Sequence, residues 1–177
     1  MADFKKLARK ICCISLAALL AGGSVAVDAP RMMGGGITAE AAGEGTTDDG
    51  FKWEENEDGS VTITGYTGND GEVAVPSEID GKSVTSIGSY AFKGCTGLTN
   101  ITIPGSVTEI GSSAFYGCTG LTSVTIPDSV TEVGSSAFSG CTRLTSVTIP
   151  GSVTEVGSSA FSGCTGLTSV TIPGSVT

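Results

Sequence analysis

The residues most able to do chemistry in this chain are cysteines and carboxylates, because the sequence contains no histidine. A Ser-His-Asp or Cys-His catalytic centre is therefore excluded, and so is a metal site built on imidazole. Cysteines recur at intervals of 23 residues, at Cys95, Cys118, Cys141 and Cys164. They form no Cys-x-x-Cys pair, so a ligand set would consist of widely spaced thiolates alone.

The carboxylates give no enzyme-like pattern. Glu109, Glu132 and Glu155 also recur every 23 residues, but no Asp-x-Asp-x-Asp motif accompanies them, so we expect them to be solvated rather than bound to calcium. The pairs Asp48-Asp49 and Glu54-Glu55 lie in a polar stretch, whereas a glycosidase needs two carboxylates held about 5–10 Å apart across a cleft. We predict that the chain is not an enzyme and needs no metal or cofactor.

These spacings belong to an internal repeat of 23 residues. Three full units run Gly88–Ile110, Gly111–Val133 and Gly134–Val156, and a fourth, Gly157–Thr177, lacks its last two residues. Phenylalanine, leucine and proline keep the same step as the cysteines. Over their shared positions, units three and four differ only where one has Arg143 and the other glycine.

Each unit predicts one short strand. In the second unit Val124 and Ile126 are two residues apart and share one face, Leu121 enters the core from the preceding turn, and Pro127 interrupts pairing. One unit cannot bury this face alone, but stacked units can, with strands about 4.8 Å apart. The cysteines then form a column of small buried residues, and disulfides between neighbouring coils stay open as the alternative.

The segment IGSYAFKGCTGLTNITIPGSVTEIGSSAFYGC closely resembles the BspA-like leucine-rich repeats of bacterial surface proteins, and the resemblance extends over residues 73–177. Its motif is the order I-G-S-x-A-F-x-x-C-x-x-L-x-x-[IV]-x-I-P. The predicted fold is a mostly β solenoid of the leucine-rich-repeat type, with one short parallel strand per 23-residue coil and irregular or short helical turns. The resemblance implies a secreted or surface-attached protein used in binding and adhesion.

The outward face of the predicted sheet is the candidate binding surface. It consists of polar side chains that alternate with the core positions: Asn100, Thr102, Ser123, Thr125, Ser146, Thr148, Ser169 and Thr171. We expect it to contact proteins or cell-surface and extracellular-matrix components. The alternatives are a structural spacer that displays another, even catalytic, domain, and a glycan- or ice-binding lattice of hydroxyl groups. The net charge of −9 argues against nucleic acid as a partner.

The segments before the repeats predict export and a cap. Residues 1–41 resemble a secretory signal peptide, with basic residues before an uncharged apolar run and cleavage after residue 26 or 41; an uncleaved membrane anchor is the alternative. An acidic linker, residues 42–50, follows. Residues 51–87 read as an N-terminal cap and a divergent first coil, in which Phe51 and Trp53 cover the first layer. Trp53 as a sugar-binding residue is the alternative.

The repeats occupy residues 88–177, and no capping segment follows the shortened fourth unit. We therefore expect a fragment of a longer protein, with end-to-end stacking of chains as the alternative. The predicted location is the bacterial exterior or cell surface.

Overall fold

The computed structural model describes residues 43–177. The predicted signal peptide, residues 1–41, lies outside the described residues, so export and the cleavage site stay predictions. Part of the predicted acidic linker, Glu44–Thr46, forms a strand that pairs with the cap. Among the described residues, no helix is long and apolar enough to cross a membrane.

Short strands joined by turns make up the described chain. Their bounds are β1 (Glu44–Thr46), β2 (Phe51–Glu55), β3 (Val61–Tyr66), β4 (Glu72–Ala74), β5 (Glu78–Ile79), β6 (Lys82–Ile87), β7 (Asn100–Thr102), β8 (Glu109–Ile110), β9 (Ser123–Thr125), β10 (Glu132–Val133), β11 (Ser146–Thr148), β12 (Glu155–Val156) and β13 (Ser169–Thr171). One sheet has the order β1–β2–β3–β6–β8–β10–β12, with β5 paired to β6, and the other has the order β4–β7–β9–β11–β13.

Each 23-residue unit is one coil of a solenoid, as the sequence predicts. Ser123 pairs with Asn100 on one side and Ser146 on the other, and every such pair is parallel and in register. The coil also contains a second strand that the sequence analysis did not separate. Glu132 and Val133 form the two-residue strand β10 between β8 and β12, so every full coil contributes to both sheets.

The first ten residues of each coil, which we call the turn segment, form turns and contain no helix in the described residues. The turn segments are residues 88–97, 111–120, 134–143 and 157–166. In the first, the amides of Tyr90 and Phe92 donate to the next coil's Ser112 and Ala114 at 3.1 and 2.8 Å. The amide of Lys93 instead closes a local turn onto the carbonyl of Tyr90 at 3.0 Å. Because the amides alternate between coil-to-coil bonds and local turns, they are satisfied without a helix.

The core consists of side chains that stack on their own equivalents. The rings of Phe92, Phe115 and Phe138 are fully buried, and successive centroids are 5.1 Å apart. Phe161 continues the stack at 5.5 Å but is only partly buried, because it belongs to the last coil. Columns of leucine, valine and isoleucine flank these rings, so burial is shared between neighbouring coils.

The cap closes the other end of the stack with aromatic rings. Phe51 is buried, as predicted, and its ring lies 5.1 Å from Tyr66 and 6.4 Å from Phe92. Tyr66, which no sequence pattern singled out, lies 5.5 Å from Phe92 and is the second ring of the cap. Trp53 is partly buried and packs against the core from β2, opposite Gly45 of β1.

The divergent first coil contains the predicted insertion. Strands β5 and β6 pair antiparallel, and Asp80 and Gly81 connect them with φ values of 53° and 77°. Two consecutive residues in the left-handed region are typical of a type I′ hairpin turn, which favours Asp-Gly. The hairpin accommodates the extra residues without disturbing the register of β6 with β8.

Candidate binding surface

The eight polar side chains predicted as a binding face lie together on one side of the second sheet. They belong to β7, β9, β11 and β13, and all are exposed. In each strand the middle residue points into the core: Ile101, Val124 and Val147 are no more than 6% exposed. The parallel register places the side chains in two rows at the strand spacing, about 4.8 Å. That these residues bind a ligand stays a prediction.

One member of the face was not identified from the sequence. Strand β4 pairs with β7, so Glu72 precedes Asn100 in one row and Ala74 precedes Thr102 in the other. The hydroxyl rows therefore end at a carboxylate beside the cap. The alternation of Val73 and Val75 was the signal that could have extended the face by this strand.

Two threonine columns that look alike in sequence differ in their hydrogen bonding. The hydroxyl of Thr122 donates to the carbonyl of Thr99 at 2.9 Å, and that of Thr145 donates to Thr122 at 3.2 Å. In residues 43–177, the hydroxyls of Thr125 and Thr148 make no intramolecular hydrogen bond, so they are available to a partner or to water. The threonine row of the face therefore offers hydroxyl groups that are free to donate and accept, whereas Ser123 in the other row donates to Asn100 at 3.3 Å.

The glutamate row lies on the other sheet. Glu109, Glu132 and Glu155 are in register on β8, β10 and β12, and all are exposed, as predicted. They border a shallow groove of about 230 Å³, whose opposite wall includes Ser112 and Ser135. No group of three or more metal-ligating residues was found within residues 43–177.

The cysteine column is buried except at Cys95, which confirms that the other three are small core residues. All four repeat cysteines are free thiols, and Cys118, Cys141 and Cys164 are buried. The Sγ of Cys141 donates to the carbonyl of Phe115, one coil earlier, at 3.2 Å. Burial raises the pKa of Cys141 to about 12 and also raises that of Cys118, so both remain protonated thiols.

The paired carboxylates near the cap lie on the β1–β2 turn and on strand β2. Asp48 and Asp49 are exposed in the turn between β1 and β2, and Glu54 is exposed on β2. Glu55 accepts a hydrogen bond from the ammonium of Lys82, which lowers the pKa of the carboxyl, and a second one from the amide of Gly43. Its role is to join the cap to the first coil.

Comparison with known proteins identifies the repeat. The family model for the BspA type leucine rich repeat region matches residues 77–177 with six copies, which is more than half of the chain. The chain belongs to the BspA-type leucine-rich-repeat family. No curated protein matches it.

Solved structures of bacterial leucine-rich-repeat proteins confirm the fold. The chain is similar to a T. pallidum leucine-rich-repeat protein at 36% identity and a TM-score of 0.72, over 75% of this chain and 62% of that one. It is similar to a leucine-rich cell surface protein of Faecalibacterium prausnitzii at 34% identity and a TM-score of 0.62, over 79% and 45%. For a Bacteroides ovatus leucine-rich-repeat protein, the identity is 35% and the TM-score 0.64, over 80% and 36%. The chain thus spans less than two thirds of each.

Proposed function

We propose that this chain is a non-catalytic binding module at the bacterial surface, and that the hydroxyl face of the second sheet contacts an extracellular protein or matrix component. The observation that carries the proposal is the regular, exposed array of Thr125, Thr148 and their equivalents, whose hydroxyls make no intramolecular bond. A relative of the same repeat type is described as a cell surface protein, which supports the location. Residues 1–41 provide the export signal in this proposal.

A flat polar sheet binds through complementarity spread over several strands rather than through one deep pocket. Thr125 and Thr148 lie on adjacent strands β9 and β11, in register, so a partner that spans two coils meets both. Typical protein interfaces bury about 800 Å² on each partner and tolerate polar surfaces when hydrogen bonds are satisfied. Two bulky charges at these positions would therefore prevent close approach without reaching the core.

The test compares Thr125→Arg/Thr148→Arg with Thr119→Arg/Thr142→Arg in the full chain. The control changes exposed threonines of the same two coils in the turn segments, so charge and number of substitutions are matched. We expect the wild type and the control to bind at least one of immobilised fibronectin, fibrinogen, laminin or collagen. The sheet variant should bind it at least about tenfold more weakly, as expected when the centre of an interface is lost.

Two results would contradict the proposal. If the wild type binds none of these proteins, a spacer role gains support. If sheet and control variants bind equally, the contact lies elsewhere on the chain. Binding to a glycan array or inhibition of ice recrystallisation, lost only in the sheet variant, would instead assign the face to a hydroxyl lattice.

A further inference from the structure

The turn segments form a second surface, on which the first two units differ in sequence from the later ones. In units three and four two positions of the turn segment are serine, as at Ser136 and Ser139. The first two units have Tyr90, Lys93 and Tyr116 at the corresponding serine positions. We propose that these three side chains, the Tyr–Lys–Tyr patch, bind an acidic segment of a partner protein. The inference rests on the proposal that the chain binds proteins, and it places a second contact outside the sheet.

The three side chains converge across two coils. Lys93 and Tyr116 occupy the same position of successive units, and Tyr90 lies one turn before Lys93. The ammonium of Lys93 lies 5.0 Å from the ring centroid of Tyr90 and 5.9 Å from that of Tyr116, within the range of a cation–π contact. The tyrosines are 56% and 45% exposed, so the rings contribute little to the core and leave much of their surface to solvent.

The fold does not require these residues. The backbone at Tyr90 has a φ of 63°, and Ser113, Ser136 and Ser159 adopt 56°, 56° and 58° at the same position. The left-handed region is unfavourable for a bulky side chain, and exposure gives Tyr90 little packing in return. Serine serves this position in three other coils, so stability does not explain the tyrosine.

The chemistry of the patch selects an anionic partner. Within residues 43–177 the only ion pair joins Lys82 to Glu55, so Lys93 has no carboxylate partner there. The hydroxyls of Tyr90 and Tyr116 also make no hydrogen bond among the described residues. One ammonium and two hydroxyl donors beside two rings suit a carboxylate with apolar atoms around it. Tyrosine is enriched where protein interfaces have their strongest contacts, which favours an acidic peptide segment.

The experiment uses the full chain on an array of short random-sequence peptides, with heparin spotted beside them. Tyr90→Ser/Lys93→Ser/Tyr116→Ser restores the residue found in units three and four, so the variant should fold. Arg143→Gly is the matched control, because it also removes an exposed cation from a turn segment and restores the residue of unit four. Circular dichroism checks that both variants keep the wild-type fold.

We expect the wild type and Arg143→Gly to capture peptides rich in aspartate and glutamate, with signals that weaken as salt rises. The triple variant should bind these peptides at least about tenfold less. Equal binding by the triple variant, no acidic excess in the captured peptides, or no capture at all would overturn the inference. Loss of heparin binding alone would also overturn it, by assigning the patch to an anionic polysaccharide.

Measuring both sets of variants in both assays, the peptide array and the immobilised matrix proteins, separates this inference from the proposed function. Thr125→Arg/Thr148→Arg should leave the acidic peptides bound, because the sheet face and the turn segments are different surfaces of the coil. If that variant keeps its matrix binding while the triple variant loses the acidic peptides, the hydroxyl face is refuted and the patch stands. The reverse pattern refutes the patch alone.

Discussion

At the scale of single residues, the cysteine column shows how a buried thiol suits a stacked coil. The position needs a small side chain, and the sulfur of Cys118 donates to the carbonyl of Phe92 at 3.0 Å while its surroundings are apolar. Cys164 makes the same bond to Phe138 at 3.0 Å. Each of these two thiols therefore gives a second hydrogen bond to a carbonyl that already accepts a backbone amide. The thiol rather than the thiolate is the form that the core accommodates.

We predict from this chemistry that the free energy of unfolding falls as pH rises above about 9. The unfolded thiol titrates near 9, whereas burial raises the pKa of Cys141 to about 12 in the folded protein. Because the folded pKa is the higher one, the stabilisation is complete below about pH 9 and is lost between about 9 and 12. Urea denaturation under reducing conditions at several pH values measures this loss.

The control for this prediction is Cys118→Ser/Cys141→Ser, whose hydroxyls do not titrate in that range. Its stability at neutral pH should be lower, but its decline above pH 9 should be shallower than that of the wild type. Tyr66, whose pKa is raised mainly by burial, is present in both proteins and cancels in the comparison. Parallel declines would contradict the assignment to the cysteines.

At the scale of elements, neighbouring coils approach each other closely just after the second strand of each coil. Gly134 donates its amide to the carbonyl of Ile110 at 2.7 Å. A Cβ at Gly134 would lie 2.5 Å from the nitrogen of Ser112 and 2.6 Å from the carbonyl carbon of Gly111. Both neighbours are backbone atoms of the preceding coil, so they cannot rotate away as a side chain would.

We therefore predict that Gly134→Ala lowers the free energy of unfolding by about 1–3 kcal/mol, as expected for overpacking. Gly151→Ala is the matched control, because a Cβ there meets nothing within 4 Å and the equivalent position of unit two is Asp128. The control should stay within about 0.5 kcal/mol of the wild type. Chemical denaturation of the wild type and both variants measures the free energy of unfolding. Equal losses of stability in the two variants would show that the close approach at Gly134 is not the cause.

At the scale of the whole molecule, stability is distributed along one dimension. Each coil contacts the coils before and after it. The ring centroid of Phe115, for example, lies 5.1 Å from that of Phe92 and 5.1 Å from that of Phe138. In such a stack the free energy is approximately a sum over coils and the interfaces between them. A coil with a neighbour on one side only is therefore less buried: Val170 of the last coil is 37% exposed, whereas its equivalent Val147 is 3% exposed.

We predict that deletion of residues 134–156, one complete unit, leaves a folded solenoid. Val133 and Val156 occupy the same position of successive coils, so joining residue 133 to residue 157 preserves every register. The circular dichroism spectrum should keep its shape, and the melting temperature should fall because one coil and one interface are lost. Deletion of residues 134–145 breaks the register and should abolish cooperative unfolding. If the two deletions behave alike, stacking in register is not what stabilises this protein.

The repeat, its core and its outward face were predictable from the order of the amino acids alone. Identical units bury identical positions, so the alternation around Val124 and the recurrence of Phe115 were enough to place them correctly. The Asp80-Gly81 turn was also predictable, because few residues other than asparagine, aspartate and glycine tolerate positive φ values there. These features depend on side-chain type and local backbone preference, which a sequence states directly.

The way in which the coils join to one another was not predictable without the three-dimensional arrangement. Hydrogen bonds between residues about one coil apart create the second strand at Glu132 and hold the amide of Phe92. They also explain why the hydroxyl of Thr122 is hydrogen-bonded and that of Thr125 is not. The direction of the chain at each corner sets those bonds, and no local pattern encodes it. The same holds for Lys93, whose approach to two tyrosines from adjacent units exists only once the coils are stacked.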